Sequence, residues 1–366
     1  MPSYTHRFLT FFLVSALIGG LSACAIPGSS RSTSADTAPT PQQVDVFFAT
    51  DREPDADNGS YFGPERGPMS FGITRVGIPP GHLIGRKEAP SLLKFEWTPD
   101  EHKHIKVQDV LTLTRDDFFQ RLTRVVSESA NGKIMIFVHG YNVEFTEASR
   151  DVAQFAKDLK FSGPVVLFSW PSQGSLTGYT VDETNAEWAQ ADFVRLLTGL
   201  LEAVAAQNIY VVGHSMGNRI IGRGMTTLAG DRLAGDLIVF REIVMIAPDI
   251  DADVFRMDIG PRMARTGIHS TVYASSNDRA LMASKAFHGY ARAGDAGEGH
   301  LVIVDGVETV DASAVSASLL GHSYFAEDRR IMEDIFALLQ TGQRAENRFG
   351  LEAVDTENGR YWTFRK

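Results

Sequence analysis

The chain has 366 residues, 43% of them hydrophobic and 22% charged, which is enough apolar material for a large core and excludes a disordered or fibrous chain. Its 35 Lys and Arg against 45 Asp and Glu leave a formal charge of −10, without the basic footprint that nucleic-acid binding needs. The single cysteine, Cys24, excludes an intrachain disulfide and a cysteine-ligated zinc.

Residues 8–21 form an uncharged, mostly apolar run preceded by His6 and Arg7. It is shorter than the roughly 20 residues that cross a bilayer, so it reads as the apolar region of a signal peptide. The run ends in Leu21-Ser-Ala-Cys24, which resembles the lipobox of bacterial lipoproteins. That resemblance implies cleavage before Cys24 and its acylation. It also implies a place in the cell envelope, lipid-anchored at the outer membrane on the periplasmic side, with a secreted or periplasmic protein as the alternative. Residues 25–43, rich in Ser, Thr, Pro and Ala, predict a flexible tether.

From Val44 onward short β-branched runs alternate with longer helical stretches, the pattern of βαβ units around a largely parallel sheet. Strands are predicted at Val44–Ala49 and Ser70–Ile78, with a helix over residues 116–130. The strand Lys133–Val138 runs into His139-Gly-Tyr-Asn142, and a helix over 146–160 leads to the strand Val165–Trp170. A helix over 185–206 precedes the strand Ile209–Val212. Further strands fall at Ile243–Ala247, Thr271–Ala274 and Leu301–Val304, the last closing the sheet before a final helix over 326–340.

Gly213-His-Ser-Met-Gly217 follows an apolar strand and opens a helix. This is the strand–turn–helix context of a nucleophile elbow, in which glycines let strand and helix approach while the serine holds a strained conformation. Ser215 needs a base, and four histidines lie downstream: His269, His288, His300 and His322. His269 and His300 sit at strand starts and His288 at a helix end, whereas His322 lies in a loop after the last strand, so His322 is the predicted base. Two loops offer the acid, Asp278 after the strand Thr271–Ala274 and Asp249 after the preceding one. Asp278 is preferred, with Asp249 then shaping the pocket floor. The amides of Met216 and Tyr141 are the predicted oxyanion donors. Asn142 is placed beside the pocket, Trp170 either lines it or is buried, and His139 and His214 are read as packing residues. Asp249-Ile-Asp-Ala-Asp253 lacks the later glycine and glutamate of a calcium loop, no zinc or nucleotide-phosphate motif occurs, and neither metal nor cofactor is expected.

Phe48-Ala-Thr-Asp-Arg52, Phe137–Asn142, Phe168–Ser172, Gly213–Gly217, Ala247–Asp251, Ser275–Asp278 and Gly321–Phe325 together resemble a bacterial family of α/β hydrolases of unknown function, within the esterase and lipase superfamily. The resemblance implies an α/β-hydrolase fold and a Ser215–Asp278–His322 triad. It supplies no substrate. The strand spacing suits one mostly parallel, doubly wound sheet in a single domain, and the roughly 20 residues between the Asp249 loop and the next strand leave no room for a large cap. The organisation expected is a signal peptide over 1–23, a lipidated cysteine and tether over 24–43, a catalytic domain over 44–345 and a tail over 346–366. Within the domain, residues 53–130 are available to cover the site. The activity expected is hydrolysis of carboxylic esters, small or lipidic, through an acyl-enzyme. Thioesterase, amidase or acyltransferase chemistry, or a non-catalytic envelope lipoprotein, are the alternatives. Oligomeric state is not legible in the sequence.

Overall fold

The computed structural model describes residues 40–55, 61–89, 100–129, 131–204, 206–232, 234–315 and 328–365. The strands in chain order are β1 (Gln42–Asp55), β2 (Tyr61–Ile78), β3 (Lys106–Leu113), β4 (Lys133–Val138), β5 (Val165–Ser169), β6 (Asn208–His214), β7 (Phe240–Ile246), β8 (Ser270–Ala274), β9 (Glu308–Asp311), β10 (Leu351–Thr356) and β11 (Gly359–Phe364). They form one sheet in the order β10-β11-β9-β8-β7-β6-β4-β5-β1-β2-β3. From β1 through β5, β4, β6, β7, β8 and β9 to β11 every neighbour is parallel. The antiparallel pairs, β1 with β2, β2 with β3 and β10 with β11, are confined to the two flanks.

Helices α1 (Arg115–Glu128), α2 (Phe145–Asp158), α3 (Tyr179–Ala203), α4 (Gly217–Asp231), α5 (Ala252–Val254), α6 (Gly260–Arg265), α7 (Arg279–His288) and α8 (Arg329–Thr341) connect and cover the strands. The central strands are apolar on both faces, as helix-covered parallel strands must be. In β4, Ile134, Ile136 and Val138 enter one hydrophobic cluster with α3 and α4 side chains such as Phe193 and Ile220. Met135 and Phe137 enter the other, with Val152 and Phe155 of α2. The same alternation divides Val211 from Val212 and Met245 from Ile246. Local chemistry agrees with this packing. Asp328 caps α8 by accepting from the amides of Arg330 and Ile331, and Gly342 ends it in a left-handed conformation. Between these caps Ile331, Ile335 and Leu338 are fully buried, each contributing about 1.5–3 kcal/mol through removal from water.

Two expectations are corrected. Leu301–Val304 is not a strand: Val304 pairs with Val307 around the tight turn Asp305-Gly306, and the sheet takes up Glu308–Asp311 instead. The tail expected over 346–366 contains a hairpin, β10–β11, whose Trp362 and Thr363 pair with β9 and so extend the sheet. Asn358-Gly359 at its turn is the sequence signal for it. Residues 53–130 contribute the antiparallel flank β2–β3 and helix α1, and none of their described residues lines the cavity beside Ser215.

Candidate active site

The strands β4, β6, β7 and β8 all deliver their carboxyl ends to one edge of the sheet. Five described non-glycine residues have positive φ, and three follow these strands: Asn142 at 58°, Ser215 at 52° and Ala247 at 46°. Backbone strain costing about 1–3 kcal/mol per residue is thus concentrated at this edge, where over-determined surroundings hold it. At Ser215 those surroundings are explicit. Its amide donates to the Ile246 carbonyl at 2.9 Å, and its carbonyl accepts from the amides of Asn218 at 3.1 Å and Asp249 at 3.2 Å. Gly217 permits the turn because a Cβ there would lie 2.3 Å from the His139 carbonyl oxygen.

Ser215 is 2% exposed and opens on a cavity of about 280 Å³ lined by Tyr141, Leu176, Tyr179, Asp249, Ser284 and Phe287, with Ala280, Leu281 and Ala283 of α7 completing the wall. Leu176 and Phe287, 79% and 65% exposed, form an apolar mouth. A larger cavity, about 890 Å³, lies near the amino ends of β4, β6 and β7 and has no part in this constellation.

The polar floor of the small cavity is a closed network. Asp249 Oδ1 accepts from Ser284 Oγ at 2.8 Å and pairs with Arg292 Nε at 2.9 Å, while Oδ2 accepts from the Tyr179 hydroxyl. Arg219 donates to the Asp249 carbonyl at 2.6 Å and pairs with Glu183 at 2.8 Å. Burial pushes the Asp249 carboxyl up, but Arg219 and Arg292 outweigh it and hold the group below the usual carboxylate range. Burial and the neighbouring Asp249 charge push the Tyr179 hydroxyl far upward, so it stays protonated and donates.

Of the residues singled out in the sequence, Ser215, Tyr141 and Asp249 share the cavity. Asp278 is buried at the head of α7, where its Oδ1 accepts from the amides of Ala280 and Leu281, each at 3.0 Å. Those two amides belong to residues of the cavity wall. Met216, buried, follows Ser215 at the start of α4. Among the described residues, neither the Met216 nor the Tyr141 amide donates to a backbone carbonyl. His322 and Cys24 lie outside the described residues.

One open alternative, at Trp170, is resolved, and one placement, that of Asn142, differs from expectation. Trp170 does not line the cavity; it is fully buried behind the His139–Asn142 loop, stacked on His139 with ring centroids 5.1 Å apart. Asn142 also stands off the cavity, its amide directed at Asp182 Oδ2, 3.3 Å away. The sequence reading missed Tyr179, Ser284 and Arg292. Arg219 alone carried a local clue, four residues after Ser215 and so on the first turn of the helix that the serine opens.

A strained serine between a parallel strand and a helix, at the carboxyl edge of a helix-covered sheet, defines the architecture of an α/β hydrolase. The chain belongs to the family described as alpha/beta hydrolase of unknown function (DUF900), whose model matches residues 114–341. A comparison with curated proteins returned no match. Among solved structures it is similar to a Listeria innocua gene product at 13% identity, over 57% of this chain and 94% of that one, with a TM-score of 0.34. It is similar to phospholipase PlaB from Legionella pneumophila in complex with thio-NAD at 14% identity, over 64% and 67%, with a TM-score of 0.32. A third is Trichoderma reesei cutinase in complex with a phosphonate inhibitor, at 10% identity, over 40% and 70%, with a TM-score of 0.24.

Proposed function

We propose that the protein is a serine hydrolase of carboxylic esters in which Ser215 is the nucleophile, His322 its base and Asp278 the acid that orients the imidazole. The observation that carries this reading is the +52° φ of Ser215 beside an apolar cavity at the carboxyl edge of the sheet. In the reaction, His322 takes the Ser215 proton as Oγ attacks the ester carbonyl. The oxyanion is met by the amides of Tyr141 and Met216, and the alcohol leaves with the proton from His322. Water, activated by the same imidazole, then releases the acid and regenerates Ser215.

The cavity supports an apolar acyl group. Asp249, Tyr179 and Ser284 are bonded to one another and to Arg292, so what remains for an occupant is largely the hydrocarbon of Leu176, Ala280, Ala283 and Phe287. The same network favours Asp278 over Asp249 as the acid, because Ser284, Arg292 and Tyr179 already take both Asp249 oxygens. The proposal places the mature protein on a membrane through acylated Cys24, facing lipid or small-molecule esters. Incorporation of labelled palmitate into wild type but not Cys24→Ser tests that anchor.

The activity is tested with acyl donors of graded chain length, comprising oxygen esters, thioesters and amides, with and without acceptor alcohols. Turnover of oxygen esters that is lost in Ser215→Ala is expected. Preference for thioesters, amides or acyl transfer would move the reaction class, and no turnover by the wild type would contradict an enzymatic role.

A further inference from the structure

We propose that Arg52 and His139 are positioning residues for the oxyanion hole: together they clamp the 139–143 loop so that one of its peptide groups, the Tyr141 N–H, is held ready to donate. The inference rests on the serine hydrolase reading and adds to it the device that orients one donor.

The loop abuts the nucleophile, since a Cβ at Gly140 would lie 3.0 Å from Ser215 Cβ. Four of its other backbone polar groups are held by side chains. The His139 carbonyl accepts from Trp170 Nε1 at 2.8 Å, the Val143 carbonyl from Arg52 Nη2 at 2.7 Å, and the Val143 amide donates to Ser172 Oγ at 3.1 Å. The Asn142 amide faces Asp182 at 3.3 Å. The Gly140 carbonyl lies 2.8 Å from His139 Nδ1, and a carbonyl can only accept, so Nδ1 carries the proton. The Gly140–Tyr141 peptide is planar and trans, which sets its C=O and N–H antiparallel. Holding that carbonyl with the imidazole therefore fixes the direction of the Tyr141 N–H.

The tautomer is in turn enforced by Arg52. With Nδ1 protonated, Nε2 is an acceptor, and Arg52 Nη2 and Ser169 Oγ each approach it at 3.4 Å. Burial, followed by the Arg52 charge, lowers the His139 pKa to about 3, so the ring stays neutral through the working pH range. Arg52 is itself fully buried, and no carboxylate pairs with it among the described residues. Its guanidinium donates to Ser169 Oγ at 3.0 Å and to the carbonyls of Gly63 at 3.1 Å and Ser172 at 2.9 Å. Neighbouring Asp51 has neither carboxyl oxygen hydrogen-bonded, and burial followed by Asp192 raises its pKa well above the usual range. A buried cation whose donors are spent on carbonyls of both flanking loops is built to hold backbone in place.

The test uses full-length protein with active sites titrated to completion by a fluorophosphonate. His139→Phe keeps the ring against Trp170 but removes Nδ1–H. It is expected to lower kcat about 10²–10³-fold, the loss that follows removal of an oxyanion donor, with KM within about twofold. His139→Asn, whose amide can donate to the Gly140 carbonyl, is expected to recover at least about tenfold of that loss. Arg52→Lys, which loses the fork but keeps the charge, is expected to lower kcat in the same KM-neutral way and reads the same clamp if His139→Phe does not fold. A kcat within about threefold of wild type in the folded variants would overturn the proposal, as would equal losses in His139→Phe and His139→Asn. A wild type inert toward the fluorophosphonate would instead overturn the hydrolase reading itself.

Discussion

At the carboxyl edge of the sheet, Arg219 and Arg292 surround Asp249 beside Ser215, while near the amino ends buried Glu242 and Arg348 and half-buried Glu308 and Arg344 form a second set of charges. In that second set Arg348 bonds the Tyr273 hydroxyl and Asp334, each at 3.1 Å, and Glu308 at 3.0 Å. Arg344 pairs with Glu242 at 3.1 Å. Both regions bury ionic groups, and the larger cavity belongs to the second. Only the first combines its charges with strained backbone, at Asn142, Ser215 and Ala247. The second ties the segment after α8 to β7, β8 and β9, and with it the approach to the C-terminal hairpin. Buried charge alone does not mark a candidate site; charge placed around a strained serine does.

The contrast can be broken in order of expected effect. Asp278→Asn should lower kcat/KM about 10⁴-fold through the wrong imidazole tautomer, whereas Asp249→Asn should chiefly destabilise the fold, as measured by steady-state kinetics beside denaturant midpoints. The reverse order would transfer the acid to Asp249. At the amino ends, Arg348→Met leaves Asp334 and Glu308 without their cation and should cost about 3–5 kcal/mol of stability, with turnover per titrated site unchanged. A loss of turnover there would erase the distinction between the two regions.

A smaller effect concerns pH. Burial, only partly offset by Arg344, raises the Glu242 pKa from 4.5 to about 7, so the folded state holds the proton more tightly than the unfolded chain. The stability this confers is complete below about pH 4.5 and is lost as pH rises through 7. Chemical denaturation across that window should show a decline that Glu242→Gln flattens, without altering the pH–rate profile. Smallest is Phe287→Ala at the cavity mouth. Its ring is largely exposed, so KM for long acyl esters should rise by less than about tenfold with kcat little changed.

Much of this was legible in the sequence, and the exceptions share a cause. The Ser215 turn declared itself because an apolar strand, two glycines and a helix are local signals, and βα alternation gave the parallel sheet for the same reason. Leu301–Val304 misled because apolarity outweighed the Asp305-Gly306 turn, while the true strand, Glu308-Thr-Val-Asp311, is polar at both ends and carries Glu308 into the ionic network. Tyr179 was missed because α3 begins six residues before the helix expected over 185–206, with Asp182 buried in that first stretch. Arg52 stands in the sequence only as the last residue of Phe48-Ala-Thr-Asp-Arg52, with no local pattern to mark its burial. Only the parallel pairing of β1 with β5 shows that it is enclosed between the loops after β4 and β5. Long-range contacts of this kind leave no periodicity to read.

The central claim is that the Ser215 hydroxyl is activated by His322. It is tested most directly by mass-spectrometric mapping of a fluorophosphonate adduct in wild type, Ser215→Ala and His322→Ala. A single adduct on Ser215, formed rapidly in the wild type, absent from Ser215→Ala and slowed at least about a thousandfold in His322→Ala, is the predicted result. An adduct on another residue, or labelling of Ser215 at an undiminished rate without the imidazole, would contradict it.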